Sequence, residues 1–248
     1  MRIGSGAFAG TSRSIDAFEV LQWSSLAFVV SSILFIGFVE LDVGAAAIFF
    51  QNGQFVGRQA AVETVRDALK LLYIAGLVCA LGGVWFGYVR KQGLLKLSAE
   101  RWLVILATLI VGPGLVANVL LKDQMGRARP HQTEIFGGTK AYTPPLVATN
   151  QCERNCSFVS GEASSMFAMF FGLAMVAGAR ARSLIAVGIA MGAFAGLIRM
   201  AQGAHFLSDV VFAGIFMALT AALLRILIID VPRAWPAVQA VRARADRQ

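Results

Sequence analysis

Residues 102–121 read WLVILATLIVGPGLVANVLL, a stretch without one charged side chain, and they run straight into Lys122-Asp123-Gln124-Met125-Gly126-Arg127-Ala128-Arg129-Pro130. A charge-free apolar stretch of about 20 residues is long enough to cross the roughly 30 Å hydrocarbon core of a bilayer as a helix. Five other apolar runs flank it, at Phe18–Val39, Leu69–Val89, Ala163–Ala179, Leu184–Ile198 and Val210–Ile229. The composition agrees: 57% of the 248 residues are hydrophobic and 15% charged, against about 45–50% and 25% in ordinary soluble domains. Disorder is excluded too, because it needs low hydrophobicity. The expectation is therefore an all-α polytopic membrane helical bundle with six transmembrane helices. It forms one integral membrane unit over residues 1–248, with a core at 69–230 and a basic tail at 231–248.

The first run is too long for a signal-peptide core and its amino-terminal flank is weakly charged, so it reads as a retained helix, although Ala45–Ala47 could mimic a cleavage site. The fifth run is short and glycine-rich, which suits a helix packed closely on its neighbours. Gly112, Pro113 and Asn118 inside the third run predict a kink with a helix-to-helix hydrogen bond. Cys79 reads as a small buried apolar residue of the second span.

Six crossings sort 21 of the 22 Lys and Arg residues by side, Arg225 lying within the last apolar run. One side holds Arg2, Arg13, Arg90, Lys91, Lys96, Arg101, Arg180, Arg182, Arg233, Arg242, Arg244 and Arg247. The other holds Arg58, Arg66, Lys70, Lys122, Arg127, Arg129, Lys140, Arg154 and Arg199, and four of these belong to one constellation with its own reason to be basic. The positive-inside rule then places both termini in the cytoplasm and the second side outside. The net charge of +8 is accounted for by the membrane, and no nucleic-acid partner is expected. Cys152 and Cys156 fall in the long outward loop, where a disulfide is allowed; two lone thiols is the other reading. Zinc is disfavoured, since only His131 is nearby as a further ligand.

Alternation of sides brings together the end of span three, the start of span four and the turn between spans five and six. Lys122 and Arg129 are seven apart and point the same way if the helix continues. Ser160-Gly161 at a helix start adds free N–H groups and the positive dipole end. Arg199 supplies another cation. Cations converging on one point repel each other unless an anion belongs there, and Arg offers phosphate a bidentate fork. His205 and Asp209, four apart, share a face if span six starts this early. The carboxylate can then hold one imidazole nitrogen and leave the other as a nucleophile toward phosphorus. More ordinary readings stand beside these: Asp209 as a helix cap, Glu162 as a complement to the helix dipole, His131 as a loop residue or head-group contact, Lys70 and Lys140 as solvated loop charges.

Lys122 through Arg129-Pro130, Ser160-Gly161, and Arg199 followed by His205 and Asp209 resemble the three signature motifs of the type 2 phosphatidic acid phosphatase superfamily, the membrane lipid phosphatases. The resemblance implies a phosphate site of Lys122, Arg127, Arg129, Ser160, Gly161 and Arg199, with His205 as nucleophile and Asp209 orienting it. It implies a phosphorylated membrane lipid as substrate, of the undecaprenyl diphosphate, lipid A, phosphatidylglycerol phosphate or phosphatidic acid type; Glu162 and the outward site rank lipid A or undecaprenyl diphosphate first. The second motif departs from the pattern: Glu162 stands where a histidine usually protonates the leaving group. If Glu162 is a weak acid, substrates with better leaving groups are favoured. With Glu162 and Asp209 already employed, no paired carboxylates remain for magnesium, so no cofactor or metal is expected. The expected location is a bacterial inner membrane with the site facing the periplasm. The competing reading is a head-group binding or transport protein that has lost turnover through Glu162.

Overall fold

A computed structural model describes residues 15–236. Of the basic residues used to orient the chain, Arg2, Arg13, Arg242, Arg244 and Arg247, with most of the basic tail, lie outside the described residues. The helices are α1 (Ala17–Gly37), α2 (Glu40–Ala47), α3 (Ala60–Arg90), α4 (Ala99–Leu109), α5 (Gly161–Ala174), α6 (Ala181–Ala201) and α7 (Leu207–Arg225). α4 continues without a break into a π-helical stretch, Ile110–Lys122, and α7 into another, Ile226–Asp230. A two-residue hairpin, β1 (Phe50–Gln51) with β2 (Gln54–Phe55), follows α2. Asn52 and Gly53 form its turn at φ 51° and 78°, the positive values a tight hairpin requires.

Among the described residues, five helical segments are long and apolar enough to cross a membrane: Ala17–Gly37, Ala60–Arg90, Ala99–Lys122, Gly178–Ala201 and Leu207–Pro236. The fourth apolar run departs from the six-span expectation. It forms α5, only 14 residues, or about 21 Å of helix. α5 packs on α3, α4, α6 and α7, and Ala163, Met166, Phe167, Ala168, Met169 and Phe171 are all buried. A helix enclosed by other helices does not have to match the bilayer thickness with its own length. α1 and α3 lie outside it and turn Trp23, Ile33, Leu71 and Val78 outward. Cys79 is exposed on that outer face rather than buried.

Pro113, which predicted a kink in the third span, lies inside a π-helical stretch, Ile110–Lys122. Proline removes one backbone donor and clashes with the preceding turn, and the chain accommodates it by widening into the π-helical stretch that contains it. The expected close packing of the glycine-rich helix holds: a Cβ at Gly192 would collide with the Phe167 ring of α5. Phe28 of α1, Phe212 and Phe216 of α7, and Phe158 just before α5 pack as edge and tilted rings 5.5–6.4 Å apart, each pair contributing about 0.5–1.5 kcal/mol beyond burial. This knot fixes the loop leading into α5 against α7. A second apolar cluster, Phe55, Phe136 and Phe206 with Phe50 and Tyr142, seats the hairpin beside the α6–α7 turn.

Candidate functional site

The three motif segments meet at one end of the bundle. The helix of span three stops at Lys122, so Arg129 is not carried two turns further along it. Gly126 turns the chain at φ 64°, and a Cβ there would collide with the carbonyl of Thr149. Arg129 instead precedes a short 3-10 turn begun by Pro130 and donates from Nε and Nη2 to the carbonyl of Asn155 at 3.2 and 2.7 Å. Lys122, Arg129 and Arg199 still end close enough for their charges to act on one another. A Cβ added at Gly161 would lie 3.0 Å from Lys122 Nζ, so glycine is what lets the lysine reach the start of α5.

Ser160 is the N-cap of α5, but its side chain makes no cap hydrogen bond, although accepting one is the usual work of a serine there. Its Oγ is buried without a partner. Arg199, 7% exposed, donates from Nη1 to Gln202 Oε1 at 2.5 Å, and Gln202 donates in turn to Glu63 of α3 at 2.8 Å. Its Nε lies 3.4 Å from Glu162 Oε1 without hydrogen-bond geometry. Glu162 is thus an ion-pair partner of Arg199, and a carboxylate held by a guanidinium is a poor proton donor. Lys122, Gly161 and Glu162 also line a cavity of about 330 Å³ together with Lys70, Tyr73, Asn118 and Ser165. Lys70 belongs to α3, where it pairs with Asp67 at 3.0 Å, and is not a loop residue.

His205 and Asp209 meet by a different device from a shared helix face. α7 begins only at Leu207, and Asp209 at its third position reaches back to accept the Phe206 N–H at 2.9 Å. The capping bond folds the chain so that His205, just outside the helix, lies against the carboxylate. The imidazole is fully buried. Its Nδ1 is 2.7 Å from the carbonyl of Ser157 and 3.5 Å from Asp209 Oδ2. A neutral ring donating from Nδ1 to that carbonyl leaves Nε2 as the lone-pair nitrogen, and Nε2 is buried with no partner. Burial, opposed by Asp209, pushes this histidine down to about 4. Lys122 and Arg199 act on it in the same direction as burial.

Arg127, expected beside Lys122, Arg129 and Arg199 as a phosphate contact, is engaged elsewhere. It is 1% exposed, and its five N–H groups are all taken. Nε donates to Thr143 O at 2.8 Å, Nη1 to Ser208 Oγ at 2.8 Å and Asp209 Oδ1 at 2.5 Å, and Nη2 to Asp42 Oδ2 at 2.7 Å and Tyr142 OH at 3.4 Å. The guanidinium has five such donors, so none is left for an anion. Burial works against its charge, and Asp209 and Asp42 outweigh that and hold it protonated. The Phe206 ring lies 4.5 Å beneath it.

Asp42, Ser157, Ser208 and Gln202 were missed in the sequence. Asp42 had a signal: an acid inside the apolar stretch Phe38–Phe50 needs a partner wherever it is buried. Cys152 and Cys156 are disulfide-bonded with Cα atoms 5.6 Å apart, and Cys156 is buried beside Ser157. His131 donates from Nδ1 to the carbonyl of Gly203 at 2.8 Å. No group of three or more His, Cys, Asp and Glu side chains able to hold a metal occurs among the described residues.

The chain is 47% identical over 115 residues to a lipid A 4'-phosphatase of Francisella tularensis subsp. novicida, covering 46% of this chain and 51% of that relative. It is 40% identical over 182 residues to a lipid A 4'-phosphatase of Rhizobium leguminosarum, covering 73% and 78%. A lipid A 4'-phosphatase of Rhizobium etli matches at 40% over 112 residues, covering 45% and 44%. The chain thus spans about half the length of the Francisella and R. etli relatives it matches. No solved structure matches it. Residues 102–232, which hold most of α4, all of α5 to α7 and every motif residue gathered above, match the model of the PAP2 superfamily, and the chain belongs to that superfamily.

Proposed function

We propose that this chain is a membrane phosphatase that removes a phosphate from a lipid-anchored sugar of the lipid A type, through a phosphohistidine at His205. One observation carries the reading: the buried side-chain atoms left without partners include Ser160 Oγ, Arg199 Nε and His205 Nε2. Buried polar atoms are almost always satisfied, and here a hydroxyl, a cation and a nucleophile lack partners at the meeting point of three segments. A phosphoryl group supplies acceptors for the first two and an electrophile for the third.

In this reading Nε2 attacks phosphorus, the P–O bond breaks, and its electron pair leaves on the sugar oxygen, which takes up a proton. Lys122, Arg129 and Arg199 offset the charge on the three phosphoryl oxygens, with the N–H groups of α5 beside them. Water then attacks phosphorus and the N–P bond breaks, returning neutral His205. No step calls on a metal. A phosphate dianion approaching Arg199 competes for the guanidinium that Glu162 holds, which makes Glu162 a better proton carrier in the complex than in the free protein.

The relatives' names favour lipid A over undecaprenyl diphosphate. They also temper the leaving-group expectation, since a sugar 4'-phosphate departs from an alkoxide that needs a proton. The 330 Å³ cavity beside Glu162, with Asn118, Ser165 and Lys70 on its walls, supports a sugar adjoining the phosphate. The Cys152–Cys156 disulfide supports a site facing the oxidising periplasm. A binding or transport protein would use the cations but has no need of the imidazole or of the carboxylates behind it.

Phosphate release by purified protein from a panel of lipid A, undecaprenyl diphosphate and phosphatidic acid tests the proposal, with His205→Ala as control. Release from lipid A that the variant abolishes is expected; no release from any lipid would overturn the reading. Labelling of Cys152 and Cys156 by an impermeant thiol reagent after reduction of intact cells is expected, and labelling only after lysis would invert the orientation.

A further inference from the structure

We propose that Asp42 is a positioning residue for the reaction at His205, acting through Arg127 on Asp209. The inference rests on the hydrolase reading above but concerns a segment outside the three motifs and outside the residues matched to the family.

Asp42 sits in α2, the short helix after the first span, and is fully buried. Its Oδ2 accepts from Arg127 Nη2 at 2.7 Å, from Ser208 Oγ at 2.5 Å and from Tyr142 OH at 3.3 Å, and its Oδ1 accepts the Ser208 N–H at 2.7 Å. Ser208 N–H is one of the donors at the start of α7 that the helix itself cannot satisfy. Asp209 caps the same helix end from within, and Asp42 caps it from another element. Arg127 lies between the two carboxylates and gives one arm of its fork to each. The result is a buried row, Asp42, Arg127, Asp209, His205, in which charges alternate up to the imidazole.

The row has a consequence for the nucleophile. A single carboxylate facing Arg127 would share its whole charge with that cation and have little left for the ring. With Asp42 on the other arm, the guanidinium is divided, and Asp209 keeps anionic character toward His205. That matters when Nε2 bonds to phosphorus, because the ring then becomes a cation whose Nδ1 proton stays between the Ser157 carbonyl and Asp209. Asp42 also fixes where Asp209 stands, by holding Ser208, its neighbour in sequence. Asp42 touches neither the ring nor the space in front of it, so its effect belongs on turnover rather than on binding.

The test uses the full chain in detergent with lipid A as substrate. Asp42→Asn, which keeps the shape and the Ser208 N–H bond but removes the charge, is expected to lower kcat about 30-fold while KM stays within about twofold. In an Asp209→Asn background the same change is expected to have little further effect, since the path runs through Asp209. A second readout does not depend on turnover. The chain has only two histidines, so protein labelled with ring-15N-histidine gives two pairs of imidazole signals, one Nδ1 and one Nε2 for each ring, assigned with His131→Asn. Asp42→Asn should move the Nδ1 signal of His205 and leave that of His131 in place. If Asp42→Asn does not fold, Ser208→Ala, which removes only the hydroxyl joining Asp42 to Arg127, should show a smaller kcat loss of about threefold to tenfold and the same shift in direction. The proposal is overturned if the Asp42 and Asp209 effects multiply, or if kcat and the His205 signal do not change. Failure of the wild type to hydrolyse any lipid phosphate would instead remove the hydrolase reading, and the histidine signals would still decide whether Asp42 governs the ring.

Discussion

Arg127 and Arg129 stand two residues apart in one motif, yet they belong to opposite faces of the same site. Behind His205, Arg127 has every donor engaged, and Asp42, Ser157, Ser208, Tyr142 and Asp209 close the network around it. In front of His205, Ser160 Oγ, Arg199 Nε and the ring's own Nε2 have no partner, and Arg129 is only partly buried. A saturated buried network holds a shape, since each missing partner would leave a group desolvated without compensation. An unsaturated one is tolerated where a ligand completes it. Charge alone does not distinguish the two faces. What distinguishes them is whether the hydrogen-bond inventory closes without a ligand.

The largest effect that would sharpen this contrast is on the front face. His205→Ala is expected to lower turnover at least ~1,000-fold while binding of vanadate, a phosphate mimic, persists; loss of both together would mean that the ring is structural. On the back face, Arg127→Met leaves two buried carboxylates uncompensated, and thermal unfolding in detergent should register a loss of about 3–5 kcal/mol. Arg129→Ala should change stability by less than about 1 kcal/mol and instead weaken vanadate binding about 10- to 100-fold. If the two arginine variants exchange these phenotypes, the division into faces is wrong. Glu162→Gln is expected to slow hydrolysis of an alkyl phosphate about 100-fold and that of p-nitrophenyl phosphate far less, because the aryl leaving group departs without a proton; equal losses would make Glu162 a mere partner of Arg199.

The pH dependence tests burial of the ring. An unfolded histidine titrates near 6.5 and His205 in the fold near about 4, so between these values the unfolded chain binds a proton that the folded chain does not. Its contribution to stability is therefore present above about pH 6.5 and is lost as pH falls toward 4. The acid limb of kcat/KM due to this ring should lie near pH 4; a limb near 6.5 would reveal an imidazole open to water. The smallest expected effect is none: EDTA should leave the rate unchanged, and a loss restored by magnesium would defeat a mechanism built on cationic side chains alone.

Much of the front face was legible in the sequence. A lone Lys or Arg at a helix end reads as an ordinary interfacial anchor; Lys122, Arg129, Ser160, Gly161, Arg199 and His205 are conspicuous as a set, because alternation of sides brings their segments together. The routes by which they meet were less legible. Lys122 and Arg129 meet across a loop turned at Gly126, and His205 and Asp209 through a capping bond, whereas helical spacing pointed to a continuous helix in both places. α5 was read as an ordinary span because its apolar run is long enough on paper, but its ends are set by the packing around it.

The back face shows where sequence reading stops. Arg127 carries the same charge and motif membership as Arg129, and nothing in its neighbours says that its partner is an aspartate 85 positions away. Composition and hydrophobic run length determined the membrane class and the helical architecture, because those follow from the cost of burying polar groups in lipid and can be read locally. Which arginine has every donor engaged behind His205 and which stands partly exposed was decided only by tertiary structure. That assignment depends on whether each donor finds its acceptor within about 3 Å, and such distances arise only when segments far apart in the chain are packed together.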